Sequence, residues 1–366
     1  MEMKCKLSDI CEYRKGKVNV SNLTLKTYIS TENMLPNKAG VVEANSLPST
    51  TLVQEYKEND TLVSNIRPYF KKVWQAKHDG GCSNDVLVFQ GKANVDKDFL
   101  YYILANDDFF AYSMATSKGT KMPRGDKKSI MQYELQLFDI KVQKKIVSIL
   151  KLLDKKIELN NAINNNLAQQ AKTIYQAWFE KFILSNGSCP PTWKRGILAD
   201  IANITSGKRP PKKSTVKQNG FEIPLLGATS IVGFTNEANY TNKILVIGRV
   251  GTHGIVQRIN SPCWASDNTL VITSELYEYT FQILQKINYH AMNRGSTQPL
   301  ITQADMNKVD ILIPDNQILT EFESIVGQLM KKYETNLMEN TKLAELRDYL
   351  LPCLLSGELD VSQINI

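Results

Sequence analysis

An internal repeat constrains this chain more than any other feature of its sequence. Gly119-Thr120-Lys121-Met122-Pro123 returns as Gly295-Ser296-Thr297-Gln298-Pro299, an offset of 176 residues (295 − 119 = 176). The same offset runs without a gap through a long helical stretch. Ile146, Leu150, Leu153, Ile157, Asn160, Asn164, Leu167, Ala171, Ile174 and Trp178 fall on Phe322, Val326, Leu329, Tyr333, Asn336, Asn340, Leu343, Arg347, Leu350 and Leu354. Both series step by four and three, the spacing of a coiled-coil seam. A chain ordered globule, helix, globule, helix carries two copies of one reading head and two of one strut. Such a design suits a ligand that is gripped twice at a set separation.

The two globular segments, from the N-terminus to about 139 and from about 193 to 314, share further anchors. Leu7-Ser8-Asp9-Ile10 matches Leu198-Ala199-Asp200-Ile201, Arg67 aligns with Arg249, and Ser83-Asn84-Asp85-Val86-Leu87-Val88-Phe89 matches Ser266-Asp267-Asn268-Thr269-Leu270-Val271-Ile272. Insertions of several residues separate these anchors, as in diverged copies that keep a scaffold and change their loops. In the first segment, 28–30, 61–66 and 86–89 read as strands and 99–110 as one helix with Phe99, Tyr102, Ile103 and Phe110 on its apolar stripe.

The first long helix reads from 143 to about 184 and ends before Gly187 and Pro190-Pro191. The second follows Pro314, with Asp315 or Asn316 as N-cap, and is expected to kink or stop at Pro352. In both seams the fifth and sixth positions are asparagine. Antiparallel pairing sets Asn160 against Asn340 and Asn164 against Asn336; parallel pairing sets Asn160 against Asn336. A buried Asn pair penalises slipped registers, because a slipped Asn faces carbon. An antiparallel strut of about 40 residues is roughly 60 Å long at ~1.5 Å per residue, which at ~3.4 Å per base pair spans at most about 17 base pairs.

Composition bounds the function classes. The net charge of +7 over 366 residues favours a polyanionic partner. Cys5, Cys11, Cys82, Cys189, Cys263 and Cys353 are scattered with no Cys-x-x-Cys pair, and no signal peptide is evident. The expectation is a cytoplasmic protein with reduced thiols and no membrane span. Enzyme signatures are missing. His78, His253 and His290 are isolated, so no metal site is expected. No Walker lysine motif occurs, and Gly248-Arg249-Val250-Gly251-Thr252-His253-Gly254 reads as a glycine-rich turn between strands. Cys189-Pro190-Pro191-Thr192 lacks the amide and aromatic ring of an adenine methyltransferase. Glu55-Tyr56-Lys57 has no upstream Pro-Asp to complete a nuclease motif.

The segment Leu346-Arg347-Asp348-Tyr349-Leu350-Leu351-Pro352-Cys353-Leu354-Leu355-Ser356-Gly357-Glu358-Leu359 closes the second helix, and Trp178-Phe179 closes the first. With Ser64-Asn65-Ile66-Arg67-Pro68 and the Gly-Thr and Gly-Ser elements ending each globule, the chain resembles the specificity subunit of type I restriction–modification enzymes along essentially its whole length. Arg347, where the first seam has Ala171, and Phe138, where the second copy has Pro314, are departures at helix ends. The resemblance implies an α+β fold: two pseudo-repeated target-recognition domains separated by two long helices forming an antiparallel coiled coil. The expected boundaries are residues 1–140 for target-recognition domain 1, 141–187 for central helical region 1, 188–315 for target-recognition domain 2 and 316–366 for C-terminal helical region 2. It further implies a noncatalytic subunit that reads a bipartite double-stranded DNA target and assembles with methyltransferase and motor-nuclease subunits. S-adenosylmethionine, ATP and Mg²⁺ belong on those partners, and no cofactor is expected on this chain.

Candidate DNA contacts in the first head are Arg67, Lys71, Lys72, Lys118, Lys121, Arg124, Lys127 and Lys128. In the second they are Lys208, Arg209, Lys212, Lys213, Arg249, Arg258 and Arg294. Lys and Arg neutralise phosphates, and Arg also grips guanine bidentately. Pro210-Pro211 makes 208–213 an extended loop. The competing functions are a self-sufficient restriction or modification enzyme and a coiled-coil scaffold that binds only proteins.

Overall fold

The computed structural model describes residues 3–250, 254–292 and 300–361. The chain forms two compact units, Met1–Asn160 with Met338–Ile366, and Asn161–Leu337. Unit 1 opens with β1 (Met3–Lys6), the one-turn α1 (Leu7–Ile10), β2 (Cys11–Tyr13), β3 (Lys17–Asn19) and β4 (Tyr28–Ile29). There follow β5 (Leu52–Tyr56), β6 (Thr61–Ser64), β7 (Val73–Gln75), β8 (Gly80–Cys82) and β9 (Val86–Gly91). Next come α2 (Lys97–Ala105), α3 (Asp107–Ala115), the one-turn α4 (Lys127–Ile130), β10 (Glu134–Leu137) and the long α5 (Ile140–Phe179). The second head contains β11 (Lys194–Ile197), β12 (Asn203–Ser206), β13 (Ile223–Leu226), β14 (Ile231–Thr235), β15 (Ile244–Gly248) and β16 (Val256–Ile259). It closes with β17 (Trp264–Ala265), β18 (Thr269–Thr273), α6 (Tyr277–Lys286), the short α7 (Gln303–Asn307), β19 (Asp310–Ile313) and the long α8 (Asn316–Ser356).

The repeat is written in hydrogen bonds. The first head has a four-stranded antiparallel sheet ordered β2-β9-β6-β7, and the second has β12-β18-β15-β16. In each, a strand opening the head pairs with one closing it, β1 with β10 and β11 with β19. A parallel contact is duplicated too, β4 with β8 and β13 with β17. The heads diverge beside it. Head 1 adds β5 and β3 to β8, whereas head 2 turns β13 back into β14.

The central strands explain why the sheets form. Every residue of β6 and of β15 is buried, and alternate side chains serve opposite faces. Leu245 and Ile247 join the core shared with α6, while Ile244 and Val246 join a second core on the other face. In head 1, Val63 and Leu62 divide in the same way.

The strand register corrects one alignment. Ser64 lies opposite Val86, and Gly248 lies opposite Thr269. Asn65 N–H then donates to Asp85 O at 2.8 Å, and Arg249 N–H donates to Asn268 O at 2.8 Å. Asn65, not Arg67, therefore occupies the position of Arg249. Identical residue types lined up across an insertion, but backbone pairing decides equivalence.

Helix ends differ from expectation for local reasons. The segment read as one helix over 99–110 breaks at Asn106, whose ψ of 142° is extended and whose side chain caps α3. α5 starts at Ile140 because Asp139 Oδ1 accepts the N–H groups of Lys141 and Val142 at 2.9 and 3.1 Å. It ends at Phe179, short of 184, where Lys181 N–H reaches back to Gln176 O and Phe182 turns left-handed at φ 49°. α8 passes through Pro352 to Ser356 and is closed by Gly357 at φ +79°.

Within each unit the two long helices pair antiparallel. In unit 1, Asn160 Nδ2 donates to Asn340 Oδ1 at 2.9 Å, and Ile146 and Leu150 share a core with Leu351 and Leu354. In unit 2, Asn336 Nδ2 donates to Asn164 Oδ1 at 2.9 Å, and the rings of Trp178 and Phe322 lie 6.0 Å apart. The seam residue Arg347 is explained by Asp154 on the facing helix, 2.9 Å away, which also accepts the Tyr102 hydroxyl at 2.6 Å.

Candidate nucleic-acid interface

In head 1 the cations sit on neighbouring turns. The β6–β7 connection carries a single 3-10 turn, Pro68–Phe70, flanked by Arg67 and Lys71 in the left-handed region at φ 51° and 50°. Arg67 N–H donates to Pro123 O at 2.8 Å, which straps this turn to the loop where Lys118 and Arg124 exchange backbone bonds of 2.9 and 3.0 Å. Lys127 and Lys128 follow on α4, whose first turn is capped by Asp126.

Four of the eight candidate cations in head 1 are already engaged. Lys71 pairs with Asp107 at 2.7 Å, Lys118 with Asp126 at 2.6 Å and Arg124 with Asp85 at 3.2 Å. Burial raises the cost of ionising Asp107, yet hydrogen bonds from Lys71 and Lys38 outweigh it and hold the carboxyl below its ordinary range. The Lys118 ammonium, with the Ser129 backbone N–H and hydroxyl, does the same for Asp126. Lys72 donates to Thr31 O at 2.6 Å, and burial lowers its pKa. Lys121, Lys127 and Lys128 are exposed and have no ion pair among the described residues. Arg67 is half-buried, with Nε lacking a hydrogen-bond partner.

Head 2 presents a different arrangement. Residues 207–213 have no regular structure and are pinned at both ends. Gly207 N–H donates to Thr269 O, Lys208 N–H to Ala265 O, Trp264 Nε1 to Lys208 O and Thr235 Oγ1 to Lys212 O, all at 2.7–3.0 Å. Only glycine fits at 207, since a Cβ there would lie 2.1 Å from Ser266 O. The loop forms one wall of an open cleft of about 600 Å³, with Arg209, Lys212 and Lys213 facing Ser266, Asp267 and Asn268. Lys208, Arg209, Lys212 and Lys213 are exposed and have no ion pair among the described residues. Arg249, joined to this wall through Asn268 O, keeps a buried Nε without a partner. Exposed Lys and Arg without a carboxylate partner are the side chains whose charge a phosphate can neutralise; Asp267 puts one carboxylate in the same cleft.

Two members of the candidate set stand apart. Arg258 is corrected: its guanidinium binds Glu278 through two bonds of 2.6 and 2.7 Å and Glu334 at 3.2 Å, with its side chain only 10% exposed. Those bonds and the rings of Tyr277 and Phe281, 4.9 and 4.7 Å away, surround it, which leaves its charge paired inside the head rather than on the surface expected of a DNA contact. Arg294 lies outside the described residues. In the sequence, Ser266-Asp267-Asn268 stand out only as an anchor of the repeat. Their place opposite the basic loop depends on the parallel β13–β17 pairing, which no local pattern announces.

Two similar heads with different charged loops, carried on paired helices, define a duplicated recognition scaffold. The family model for the type I restriction modification DNA specificity domain matches residues 2–169 and again residues 190–347, and the chain belongs to that family. It is similar to the type I restriction enzyme HindI specificity subunit of Haemophilus influenzae, 24% identical over 466 residues covering 96% of this chain and 100% of the relative. It is also similar to the MjaIX specificity subunit of Methanocaldococcus jannaschii, 25% identical over 311 residues covering 75% and 71%. The crystal structure of a type I restriction–modification S subunit from M. genitalium shares the fold, with a TM-score of 0.58 at 17% identity, covering 99% of this chain and 97% of that one. The chain is thus a noncatalytic, sequence-specific DNA-recognition subunit. Among the described residues no helix is long and apolar enough to cross a membrane.

Proposed function

We propose that residues 1–140 and 188–315 are two target-recognition domains, each reading one half of a bipartite DNA site. The helical regions 141–187 and 316–366 set the spacing and dock methyltransferase subunits, to which motor-nuclease subunits add. S-adenosylmethionine, ATP and Mg²⁺ act on those partners. In head 2 the phosphate contacts are Lys208, Arg209, Lys212 and Lys213, with Arg249 turned to a base edge. In head 1 they are Lys121, Lys127 and Lys128 beside Arg67, with Lys71, Lys72, Lys118 and Arg124 releasing their present partners to join. The observation that carries this reading is the duplicated backbone pairing combined with unlike charged loops. One scaffold used twice with different surfaces is what two unlike half-sites require.

The test is an exchange. Replacing residues 196–310 with the equivalent head of another specificity subunit changes one half of the methylated motif and leaves the other half intact. A change in both halves, or in neither, would contradict two independent heads. The methylated positions are read genome-wide in cells carrying the whole system.

A further inference from the structure

Arg258 is buried and paired, and its position on the repeat gives it another use. Glu334 on α8 and Glu158 on α5 are related by the same offset of 176 (334 − 158 = 176). Each carboxylate receives a cation from its own head. Glu334 binds Arg258 on β16 at 3.2 Å, and Glu158 binds Lys77 at 3.3 Å, two residues beyond the end of β7. The sheet registers make β7 and β16 equivalent strands and place Gln75 at the position of Arg258. Gln75 itself donates to Lys97 O at 3.3 Å, so in head 1 the cation comes from Lys77, in the bend that follows β7. Both copies therefore tie the same helix carboxylate to a cation of their own head, from β16 in head 2 and from the bend after β7 in head 1.

The two versions differ in burial. Lys77 and Glu158 are 72% and 66% exposed, whereas Arg258 and Glu334 are 10% and 14% exposed. In head 2 the attachment is also reinforced. Glu278, at the start of α6, accepts from both terminal nitrogens of Arg258, Nη1 and Nη2, and Lys243 reaches Glu334 at 3.7 Å. A second carboxylate of the helix, Glu323, accepts the N–H groups of Glu278 and Tyr279 at 3.0 and 2.8 Å. An exposed Lys–Glu pair holds geometry loosely. A buried guanidinium held bidentately by Glu278 of its own head meets Glu334 of the helix from a constrained position.

We propose that Arg258 and Glu334 form a spacing key: a positioning pair that locks head 2 on its helix so that only one spacer length between the half-sites is accepted. The inference rests on the bipartite reading above. One extra base pair moves the second half-site by ~3.4 Å and turns it by about 35°. A head free to rock on its helix would follow such a shift; a keyed head would not.

The experiment uses the chain assembled with its methyltransferase subunits and a duplex library holding both half-sites constant while the spacer varies by one base pair either way. The wild type is expected to prefer one spacer by about tenfold or more, and Glu334→Gln and Arg258→Met to reduce that preference to about threefold or less. Half-site sequences stay unchanged, Arg258→Lys restores part of the preference, and Lys77→Gln leaves it as in the wild type. Glu334→Gln keeps the shape and an acceptor, so it carries the test if Arg258→Met does not fold. An unchanged spacer preference in folded Glu334→Gln overturns the key, as does a changed half-site sequence in Arg258→Lys or an equal effect of Lys77→Gln. Failure of the wild type to methylate any bipartite site would instead sink the proposed function.

Discussion

At the scale of single residues, what separates one basic side chain from another is the company it keeps. Lys212 and Lys213 face open cleft, whereas Lys71, Lys118 and Arg124 each hold a carboxylate within 3.2 Å. A cation already neutralised gains less from a phosphate and releases fewer ions on binding. The double substitution Lys212→Gln with Lys213→Gln is therefore expected to weaken binding evenly across DNA sequences. It should also lower the slope of log affinity against log salt by about 2, near 0.9 per lost contact. Lys118→Gln should change the slope by less than one half. Titrations of the methyltransferase-bound subunit across a salt series measure both, and equal effects would contradict the ranking. Arg258→Ala belongs to a different class. It strands Glu278 and Glu334 without their cation in a buried site, at about 3–5 kcal/mol, read as a lower midpoint in urea with the salt slope unaltered. Residue type was legible in the sequence; the partner was not, because Glu278 and Glu334 lie 20 and 76 positions away from Arg258.

At the scale of elements, the helices were legible because their spacing is written in the seam, and their ends were not. Capping at Asp139, the left-handed turn at Phe182 and the passage through Pro352 each depend on one or two local bonds. The seam asparagines support an element-scale prediction. Asn336 is 0% exposed and donates to Asn164. Asn164→Leu alone leaves Asn336 facing carbon and costs about 1–3 kcal/mol. Adding Asn336→Leu removes the orphaned amide, and the double variant should melt above the single one. Thermal denaturation distinguishes the cases; a double variant that melts below Asn164→Leu would show that the pair does not act as a unit. The loss expected in the double variant is of unique register, not of helix.

At the scale of the whole molecule, the proposed spacing role makes the helices a ruler. One matched heptad added to both long helices lengthens each by ~10.5 Å. At ~3.4 Å per base pair, the unread spacer should grow by about 3 base pairs while both half-sites persist. Methylation mapping in cells carrying the altered subunit measures this, and an unaltered spacer would rule the ruler out. The repeat, the seam and its asparagines are one-dimensional facts, and they suffice to show that the chain holds two copies of one head and two of one helix. Tertiary structure decided what periodicity leaves open. Antiparallel over parallel pairing is settled by which side chains meet, Asn160 with Asn340 and Asn164 with Asn336. The equivalence of Asn65 with Arg249 is settled by strand register, and the pairing of Arg258 with two buried carboxylates by the fold of head 2. Spacing along a chain records which residues repeat, but charge pairing and exposure are properties of neighbours in space.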